Sequence, residues 1–410
     1  MPVWQRKSRE KRQHADSPRY LSVVDPGSTT LRLLVVEAAA GRATVWGWAE
    51  VPGPGSSASA DWLIDACGKA LARAEEMAQD LAERWFLPDR MLVGLPGSHL
   101  VGRSWPVVQR RSRPDQPVEE RELRALLERA LRLAVNRLLS TAPGEGEWLL
   151  VDSAPVALSI DGRGVTDPVS FRATEIGATV FAALAEASTI TTWRAAAEEM
   201  EFRELVLVGT PTALAAGLSG QQGMLLDVGG EYTDLAWARG GRPMAIDSLP
   251  SGGSALTRSL VRRWNLAPDR AERLKRAYAA GRLKEEARDE VQAVLLPAIQ
   301  GWLAQVEKSL AHLNLDEALP SRLYLSGGGS ALREVAESVG ALAWSQRLTF
   351  ERHPEVHLLR PTDVPGVLNR TDMGQEAGDA AVLALAAWAA RQQQPPERPA
   401  SILSELCAGG

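Results

Sequence analysis

A strand, a glycine turn and a returning strand at residues 224–237 constrain this chain more than any other feature. An apolar run ends in Asp227, Gly229 and Gly230 permit a tight turn, and a second strand begins at Thr233. Glycine lets backbone N–H groups approach a chain of phosphates closely, and a carboxylate at a strand end can hold hydrated Mg²⁺ against them. The stretch therefore predicts a phosphate-binding turn, although an ordinary hairpin loop has the same pattern.

The same pattern occurs a second time near the start of the chain. An apolar strand from Leu21 ends in Asp25, Gly27 and three hydroxyl residues follow, and another apolar strand runs to Val36. Two copies of one strand–turn–strand pattern, separated by about two hundred residues, indicate an internal repeat. We therefore expect two similar half-domains that face one nucleotide.

Two further glycine groups fit the same purpose. Gly252 and Gly253 open a helix, and a helix N-terminus is a natural position for phosphate. Gly327 and Gly328 follow an apolar strand and precede Ser330. Glycine at that point lets a flat purine lie on bare backbone, because no Cβ projects from the chain. The sequence therefore predicts two more nucleotide contacts.

Composition limits the class of protein. A chain of 410 residues is too long for one small core, so two lobes are expected. The net charge of −5 makes neither lobe an obvious nucleic-acid binder, and we expect no nucleic acid to bind. Cys67 and Cys407 provide no disulfide framework, which favours a reducing cytoplasm. No run of eighteen or more apolar residues occurs, so no membrane span is expected.

The order of predicted elements divides the chain into lobes, an insertion and two terminal segments. We expect a basic disordered arm at 1–19, a first lobe at 20–96 that continues at 181–220, an inserted subdomain at 97–180, a second lobe at 221–391 with its own subdomain at about 256–320, and a flexible tail at 392–410. The insertion has the order strand, helix, strand, strand.

Two basic features have more than one interpretation. The arm at 1–19 is interpreted as a solvated segment, and the alternative is weak attraction to an anionic membrane surface or partner. The arginine-rich face of the predicted helix at 118–140 is interpreted as a solvated surface. The alternative for that face is self-association or partner binding.

Five segments stand together in the order of one superfamily. They are the loops at Asp25 and Asp227, residues 209–217, residues 271–275 and residues 325–329. In these segments the sequence resembles the actin-like ATPases. The inserted subdomain and the motifs at 249–257 and 271–281 make it most similar to the bacterial cell-division family FtsA and the type IV pilus family PilM. The resemblance implies an α/β fold of the actin-like, ribonuclease H-like type, with two lobes and an α+β subdomain inserted in the first.

The resemblance also implies a site for ATP and Mg²⁺. Asp25 and Asp227 would hold Mg²⁺ through water, and Asp227 would also lie near the attacking water. The residues expected around the phosphates are Gly27, Ser28, Thr29, Thr30, Gly229, Gly230, Thr233, Gly252 and Gly253. Glu272 and Lys275 would reach the ribose and purine. The adenosine would be backed by Gly327, Gly328 and Ser330.

Several residues depart from the pattern of these families. Glu231 and Tyr232 stand where many relatives have a third glycine and a threonine, and an uncompensated carboxylate there would weaken ATP binding. Thr30 stands where FtsA often has lysine. No glutamine or other evident base occurs at 209–217, which predicts slow or absent hydrolysis.

The resemblance implies three candidate functions. The first is an FtsA-like ATP-binding scaffold that self-associates and links a cytoskeletal filament to the membrane division site. The second is a PilM-like cytoplasmic adaptor that binds a pilus inner-membrane protein in a pilus or secretion platform. The third is an actin-fold kinase or chaperone-type ATPase.

The end of the chain bears on how the protein would reach a membrane. Residues 401–410 contain no basic residue and few apolar anchors, so direct membrane attachment through them would be weak. We expect the protein in the cytoplasm, at the inner face of the cell membrane, held there weakly or through a partner.

Overall fold

Two β-sheets form the frame of the molecule. The computed structural model describes residues 19–53, 59–86, 88–218, 220–313, 318–341, 344 and 347–409. The predicted basic arm lies almost entirely outside these residues. One sheet has six strands and the other has nine.

The strands have the following bounds. They are β1 (Arg19–Pro26), β2 (Thr30–Ala39), β3 (Arg42–Pro52), β4 (Arg90–Leu95), β5 (Leu100–Arg110), β6 (Trp148–Ile160), β7 (Arg163–Val165), β8 (Glu175–Glu186), β9 (Glu204–Gly209), β10 (Gly223–Val228), β11 (Thr233–Arg239), β12 (Arg242–Leu249), β13 (Arg322–Ser326), β14 (Glu355–Leu358) and β15 (Val367–Asn369).

The α-helices lie between and after these strands. They are α1 (Ala60–Ala82), α2 (Glu120–Thr141), α3 (Ala187–Glu199), α4 (Thr210–Gly217), α5 (Gly253–Trp264), α6 (Pro268–Ala279), α7 (Glu285–His312), α8 (Arg333–Gly340), α9 (Ala380–Arg391) and α10 (Arg398–Gly409).

The six-stranded sheet forms the first lobe, in the order β15-β3-β2-β1-β4-β9. Its antiparallel strands β1, β2 and β3 are rich in valine and leucine, and apolar side chains on both faces are buried. Helices α1 and α3 cover one face, and α4 and α9 cover the other. The alanine-rich sequence of α9 permits this close packing. Helix α9 therefore packs on the first lobe, although the sequence-based division includes residues 380–391 in the second.

The nine-stranded sheet joins the second lobe to the inserted subdomain. Its order is β14-β13-β10-β11-β12-β5-β8-β6-β7, in which the first five strands belong to the second lobe. The remaining four belong to the insertion, which we call the module. Two residue pairs make the connection between β12 and β5, namely Ala245 with Arg103 and Ile246 with Gly102. Helices α5, α6, α7 and α8 pack on the second lobe.

Helix α2 packs across the module sheet, over β8 and between β5 and β6. A regular apolar stripe holds it there, and the stripe is fully or almost fully buried. It consists of Leu123, Leu126, Leu127, Ala130, Leu131, Ala134 and Leu138. The sequence pattern predicts this helix correctly because the period of the stripe is that of an α-helix.

The end of the chain differs from its prediction. Residues of the expected flexible tail form α10, which packs on α2 and β6 of the module. Ile402 and Leu403 are only 2% and 1% exposed, and Arg124 of α2 donates to Glu405. The apolar residues proposed as weak membrane anchors are thus committed to the protein itself. Within the described part of the chain, none of the helices has both the length and the apolar character required to cross a membrane.

Candidate functional site

The two aspartate hairpins meet between the lobes. Asp25 lies near the end of β1 in the first-lobe sheet, and Asp227 lies near the end of β10 in the second. The loops that follow touch directly, because the backbone N–H of Glu231 donates to Ser28 Oγ at 3.1 Å. The structure therefore brings together the two loops that the sequence places about two hundred residues apart.

Glycines make this close approach possible. A Cβ at Gly230 would lie 2.4 Å from Thr29 Cγ2, and one at Gly252 would lie 2.5 Å from Gly229 O. Real Cβ atoms do not approach other atoms so closely. The backbone N–H of Gly253 donates to Gly229 O at 2.8 Å, which fixes the start of α5 against the second loop. The site thus has backbone surfaces of the kind a polyphosphate requires.

Asp25 is a buried carboxylate, and Asp227 is half-buried. Burial raises the pKa of Asp25 to about 6, although the Arg32 guanidinium opposes this rise. Burial also raises the pKa of Asp227, whose Oδ1 accepts a hydrogen bond from Ser326 Oγ at 2.7 Å. A divalent cation would relieve the cost of holding two such charges together. Asp25 and Asp227 therefore fit the water-mediated Mg²⁺ role that the resemblance implies.

These carboxylates do not form a complete metal site by themselves. Across the described residues, no group of three or more His, Cys, Asp or Glu side chains is arranged to hold a metal ion. Mg²⁺ usually keeps several waters and takes one or two carboxylates plus phosphate oxygens. The donor set fits a metal ion that arrives with a nucleotide.

Arg32 is a site residue that the sequence interpretation missed. Its Nε donates to Asp379 Oδ1 at 2.7 Å, and its guanidinium lies 3.8 Å from Asp25 and 3.4 Å from Glu50. Arg32 pairs with Asp25 across the β1–β2 hairpin, so the hairpin register was the available signal. Asp379 precedes α9 in a different part of the chain, and no local pattern connects it with Arg32. Arg32 supplies a half-buried positive charge at the first loop.

Asp234 is a second missed residue. It faces Asp227 across the β10–β11 hairpin, and it accepts from the Gly97 backbone N–H and the Ser248 hydroxyl, both at 2.6 Å. Burial, with additional repulsion from Asp227 and Asp25, raises the pKa of Asp234 to about 7. A carboxyl group with a pKa near 7 can take up or release a proton at neutral pH.

Glu272 and Lys275, the residues predicted to contact the ribose and purine, form one polar cluster. Lys275 Nζ donates to Gly253 O at 2.9 Å and to Thr257 Oγ1 at 2.8 Å, and it lies 2.8 Å from a Glu272 carboxylate oxygen. Burial lowers the pKa of Lys275. The hydrogen bonds of Lys275 therefore hold α6 against the start of α5. A Cβ at Gly253 would lie 4.0 Å from Gly329 Cα, so the cluster adjoins the loop at 327–329, which we call the third glycine loop.

The third glycine loop presents bare backbone beside Asp227. Gly327 has a positive φ of 83°, and a Cβ there would lie 2.7 Å from Asp227 Oδ1. Gly328 is exposed, and a Cβ on it would meet no atom within 4 Å. This open surface is where the sequence predicts contact with adenosine.

Thr233 and Ser330, two residues predicted to contact the nucleotide, bond their hydroxyl groups to other parts of the protein. Thr233 is fully buried, donates to Ser251 O at 2.7 Å and accepts from Trp302 Nε1 at 3.0 Å. Ser330 Oγ donates to Gly327 O at 2.7 Å. These hydroxyl groups stabilise the loops, and the structure does not offer them to the cleft.

The negative charge of Glu231 is partly balanced by a neighbouring arginine. Its Oε2 lies 3.1 Å from Arg258 Nη1 of α5, and both side chains are partly exposed. The neighbouring Arg258 reduces the repulsion that the Glu231 carboxylate would exert on a phosphate chain.

Comparison with known proteins identifies the fold and a related family. Residues 224–367 match the family model described as cell division protein FtsA. The solved structure of a PilM-PilN type IV pilus biogenesis complex has a TM-score of 0.63 and 19% identity, and the match covers 92% of this chain and 99% of that chain. The ethanolamine utilization protein EutJ from Carboxydothermus hydrogenoformans gives a TM-score of 0.48 and 15% identity, with 90% and 91% covered.

No curated protein matches the sequence significantly. The family model covers mainly the second lobe, whereas the structural likeness to PilM extends over both lobes and the module. The chain therefore has the two-lobe fold of the actin-like ATPases and resembles the cell-division protein FtsA and the pilus protein PilM.

Proposed function

We propose that this protein binds ATP with Mg²⁺ between the Asp25 and Asp227 loops and acts as an actin-like scaffold. The observation that carries the proposal is the meeting of the two loops, where Glu231 N lies 3.1 Å from Ser28 Oγ. The buried Asp25, the half-buried Asp227 and Arg32, and bare glycine backbone surround this contact. That combination suits a metal-bound polyphosphate.

Each side of the cleft has its own part in binding. Asp25 and Asp227 would hold Mg²⁺ through water, and the ion would supply charge neutralisation to the phosphates. The phosphate contacts would come from Gly27, Ser28, Thr29, Thr30, Gly229, Gly230, Gly252 and Gly253. The ribose and purine would lie against the Glu272–Lys275 pair and the backbone of Gly327 and Gly328.

Hydrolysis, as part of this proposal, would depend on positioning and charge neutralisation. The resemblance assigns Asp227 to the neighbourhood of the attacking water. Asp234 is the carboxyl group whose pKa, about 7, suits proton uptake at neutral pH. The chain offers no glutamine in α4 for this role, so we expect slow turnover.

The test of nucleotide binding is a thermal shift measured with MgATP. We expect MgATP to raise the melting temperature of the wild type, because a ligand that binds only the folded state stabilises it. Asp227→Ala should show a much smaller increase. Asp269→Ala, at the start of α6, is the matched control and should respond like the wild type. Equal increases in wild type and Asp227→Ala would remove Asp227 from the site.

For the cellular role, the first candidate is an FtsA-like scaffold. Such a scaffold would self-associate and link a division filament protein to the membrane division site. The match of residues 224–367 to the FtsA family model favours it. In this role the protein would work in the cytoplasm, at the inner face of the membrane.

The second candidate is a PilM-like adaptor of a pilus or secretion platform. The match with the PilM–PilN complex over 99% of that chain favours it. The packing of α10 on the module favours it also, because the end of the chain is then not free to enter a bilayer. A pilus inner-membrane protein would hold the adaptor at the membrane.

Crosslinking in native cells distinguishes the two roles. A photoreactive residue on the exposed surface of the second lobe should capture a second copy and a division filament protein if the first role is correct. Capture of a pilus inner-membrane protein would support the second role. Capture of neither class would contradict both.

A further inference from the structure

The module carries an open groove between α2 and β5 that neither candidate role explains. The groove is a surface cavity of about 430 Å³. Its lining residues come from two elements, with Pro106, Val107 and Val108 from β5 and Arg129, Arg132, Leu133 and Asn136 from α2. Val107 packs on the α2 side of β5, whereas the neighbouring Val108 points to the opposite face of the sheet and lines the groove through its backbone. We call this feature the α2–β5 groove.

The backbone beside the groove is a free sheet edge. On one side β5 pairs with β8 along its whole length, from Leu100 to Arg110. On the other side it pairs with β12 at Gly102 and Arg103, and no strand among the described residues continues that pairing over 105–110. Pro106 has no N–H, so the groups that this edge can offer to an additional extended segment are the N–H groups of Val108 and Arg110 and backbone carbonyl oxygens.

The opposite side of α2 shows what the module surface accepts. There α10 fills the corresponding space between α2 and β6. Its apolar residues Ile402 and Leu403 are buried against the module, and its acidic Glu405 accepts from Arg124 of α2. The chain thus covers one side of α2 with an apolar and acidic segment. The side next to β5 has the same apolar and basic character.

The charges of the α2–β5 groove also favour an apolar and acidic occupant. Arg129 and Arg132 are exposed at its margin. Arg132 has a neighbouring carboxylate in Glu128, whereas Arg129 has no carboxylate partner among the described residues. An occupant with acidic side chains would complement these arginines.

Two other occupants fit less well. If two copies paired through the same β5 edge, the groove arginines of each copy would approach those of the other, and like charges oppose such pairing. The first eighteen residues of the chain are rich in arginine and lysine, so they have the same sign of charge as the groove. Neither provides the acidic side chains that the groove arginines favour.

We propose that the α2–β5 groove binds an extended acidic and apolar segment of a partner protein. The segment adds a strand to the β5 edge at residues 105–110. Alternate side chains of the segment then face the groove and place carboxylates at Arg129 and Arg132. This site is on the module surface, so its test is independent of nucleotide binding.

The binding test uses the full chain and a fluorescent pool of short peptides. Every second position in the pool is Asp or Glu, and the other positions are Val, Ile, Leu or Thr. The reference pool has Lys or Arg at the acidic positions. We expect the acidic pool to bind the wild type at least about tenfold more tightly than the basic pool. Equal binding, or no binding of the acidic pool, would overturn the proposal.

Substitutions locate the binding surface. The double variant Arg129→Glu and Arg132→Glu should weaken binding of the acidic pool about tenfold or more. Arg121→Glu is the matched control, because Arg121 lies on the same helix, is exposed and is not in the groove. It should bind within about twofold of the wild type. Equal loss in both variants would show that the attraction is general and not specific to the groove.

Hydrogen exchange and mass measurement complete the test. On addition of the acidic pool, the amides of Val108 and Arg110, which face the free edge, should exchange more slowly, and those of α3 should not change. Protection elsewhere with none at 105–110 would overturn the strand-addition geometry. A wild-type chain that is dimeric without peptide, and monomeric in the double variant, would show that the occupant is a second copy.

Discussion

Each site aspartate faces a second ionisable residue across its own hairpin. Asp25 is opposite Arg32, whereas Asp227 is opposite Asp234. The two repeats are therefore alike in backbone and different in charge. The first loop has a half-buried cation, and the second has an extra carboxyl group whose pKa is raised to about 7.

The raised pKa of Asp234 predicts a pH dependence of stability. The folded state holds the Asp234 proton more tightly than the unfolded state, so this residue's contribution to the free energy of unfolding falls as pH rises from about 4 to about 7. Asp234→Asn removes that contribution and retains a carbonyl oxygen for the Gly97 N–H. We expect the variant to gain on the order of 4 kcal/mol relative to wild type between pH 4 and pH 8.

Urea denaturation at several pH values measures this difference. Asp269→Asn, at an exposed position on α6, should follow the wild-type pH profile. If the profiles of Asp234→Asn and wild type are parallel, the Asp234 pKa is not raised in the folded protein.

Some site residues were predicted from the sequence and others were missed. The difference is whether a short sequence pattern, a hairpin register or only tertiary packing brings each residue to the site. Asp25, Asp227 and the glycines belong to short contiguous patterns with a clear chemical meaning. Arg32 and Asp234 required the hairpin register, which is a local feature that a sequence pattern can provide. Asp379 reaches Arg32 through the packing of α9 on the first lobe, and no sequence pattern contains that information.

Among the elements, α10 shows how tertiary packing overrides a local signal. The segment has few apolar residues, and an isolated helix of twelve residues is marginal in water. Contact with the module supplies the missing stability, because Ile402 and Leu403 are buried there. The sequence of α2, in contrast, contains a long apolar stripe that predicts a helix without reference to its partner.

The packing of α10 predicts unequal effects for two neighbouring substitutions. Leu403→Ala removes a side chain that is 1% exposed and should lower the free energy of unfolding by about 2–4 kcal/mol. Glu405→Gln disrupts an exposed ion pair with Arg124 and should cost less than about 1 kcal/mol. Thermal and urea unfolding measure both. Similar small effects would mean that α10 does not pack on the module in solution.

Lipid binding provides an independent measurement on the same element. Deletion of residues 392–410 should barely change sedimentation with anionic liposomes, because the apolar side chains of α10 face the protein. A large loss of sedimentation would show that the segment leaves the module and enters the bilayer.

At the scale of the whole molecule, two backbone amides connect the lobes near the site. Glu231 N–H donates to Ser28 Oγ, and Gly97 N–H donates to Asp234 Oδ2. Glu231 belongs to the second lobe, and Gly97 begins the insertion directly after β4 of the first lobe. Amide exchange at these two residues therefore reports the separation of the lobes.

Hydrogen exchange with and without MgATP tests the coupling of the lobes. We expect the Glu231 and Gly97 amides to exchange at similar rates without nucleotide and to slow together with it, because ligand binding would hold the lobes closed. The Arg203 amide, bonded to Asp89 O within the first lobe, serves as the control and should not respond. A change at only one of the two inter-lobe amides would contradict a common closing motion.

The short pairing between β12 and β5 has a mechanical consequence. Two residue pairs form the strand pairing between the module and the second lobe, and buried side chains add to it. Phe181 and Ala183 of β8 pack in one core with Leu214 of α4 and Ile246 of β12. Because this core is shared by the module and both lobes, we expect a displacement of the second lobe to shift the module with it.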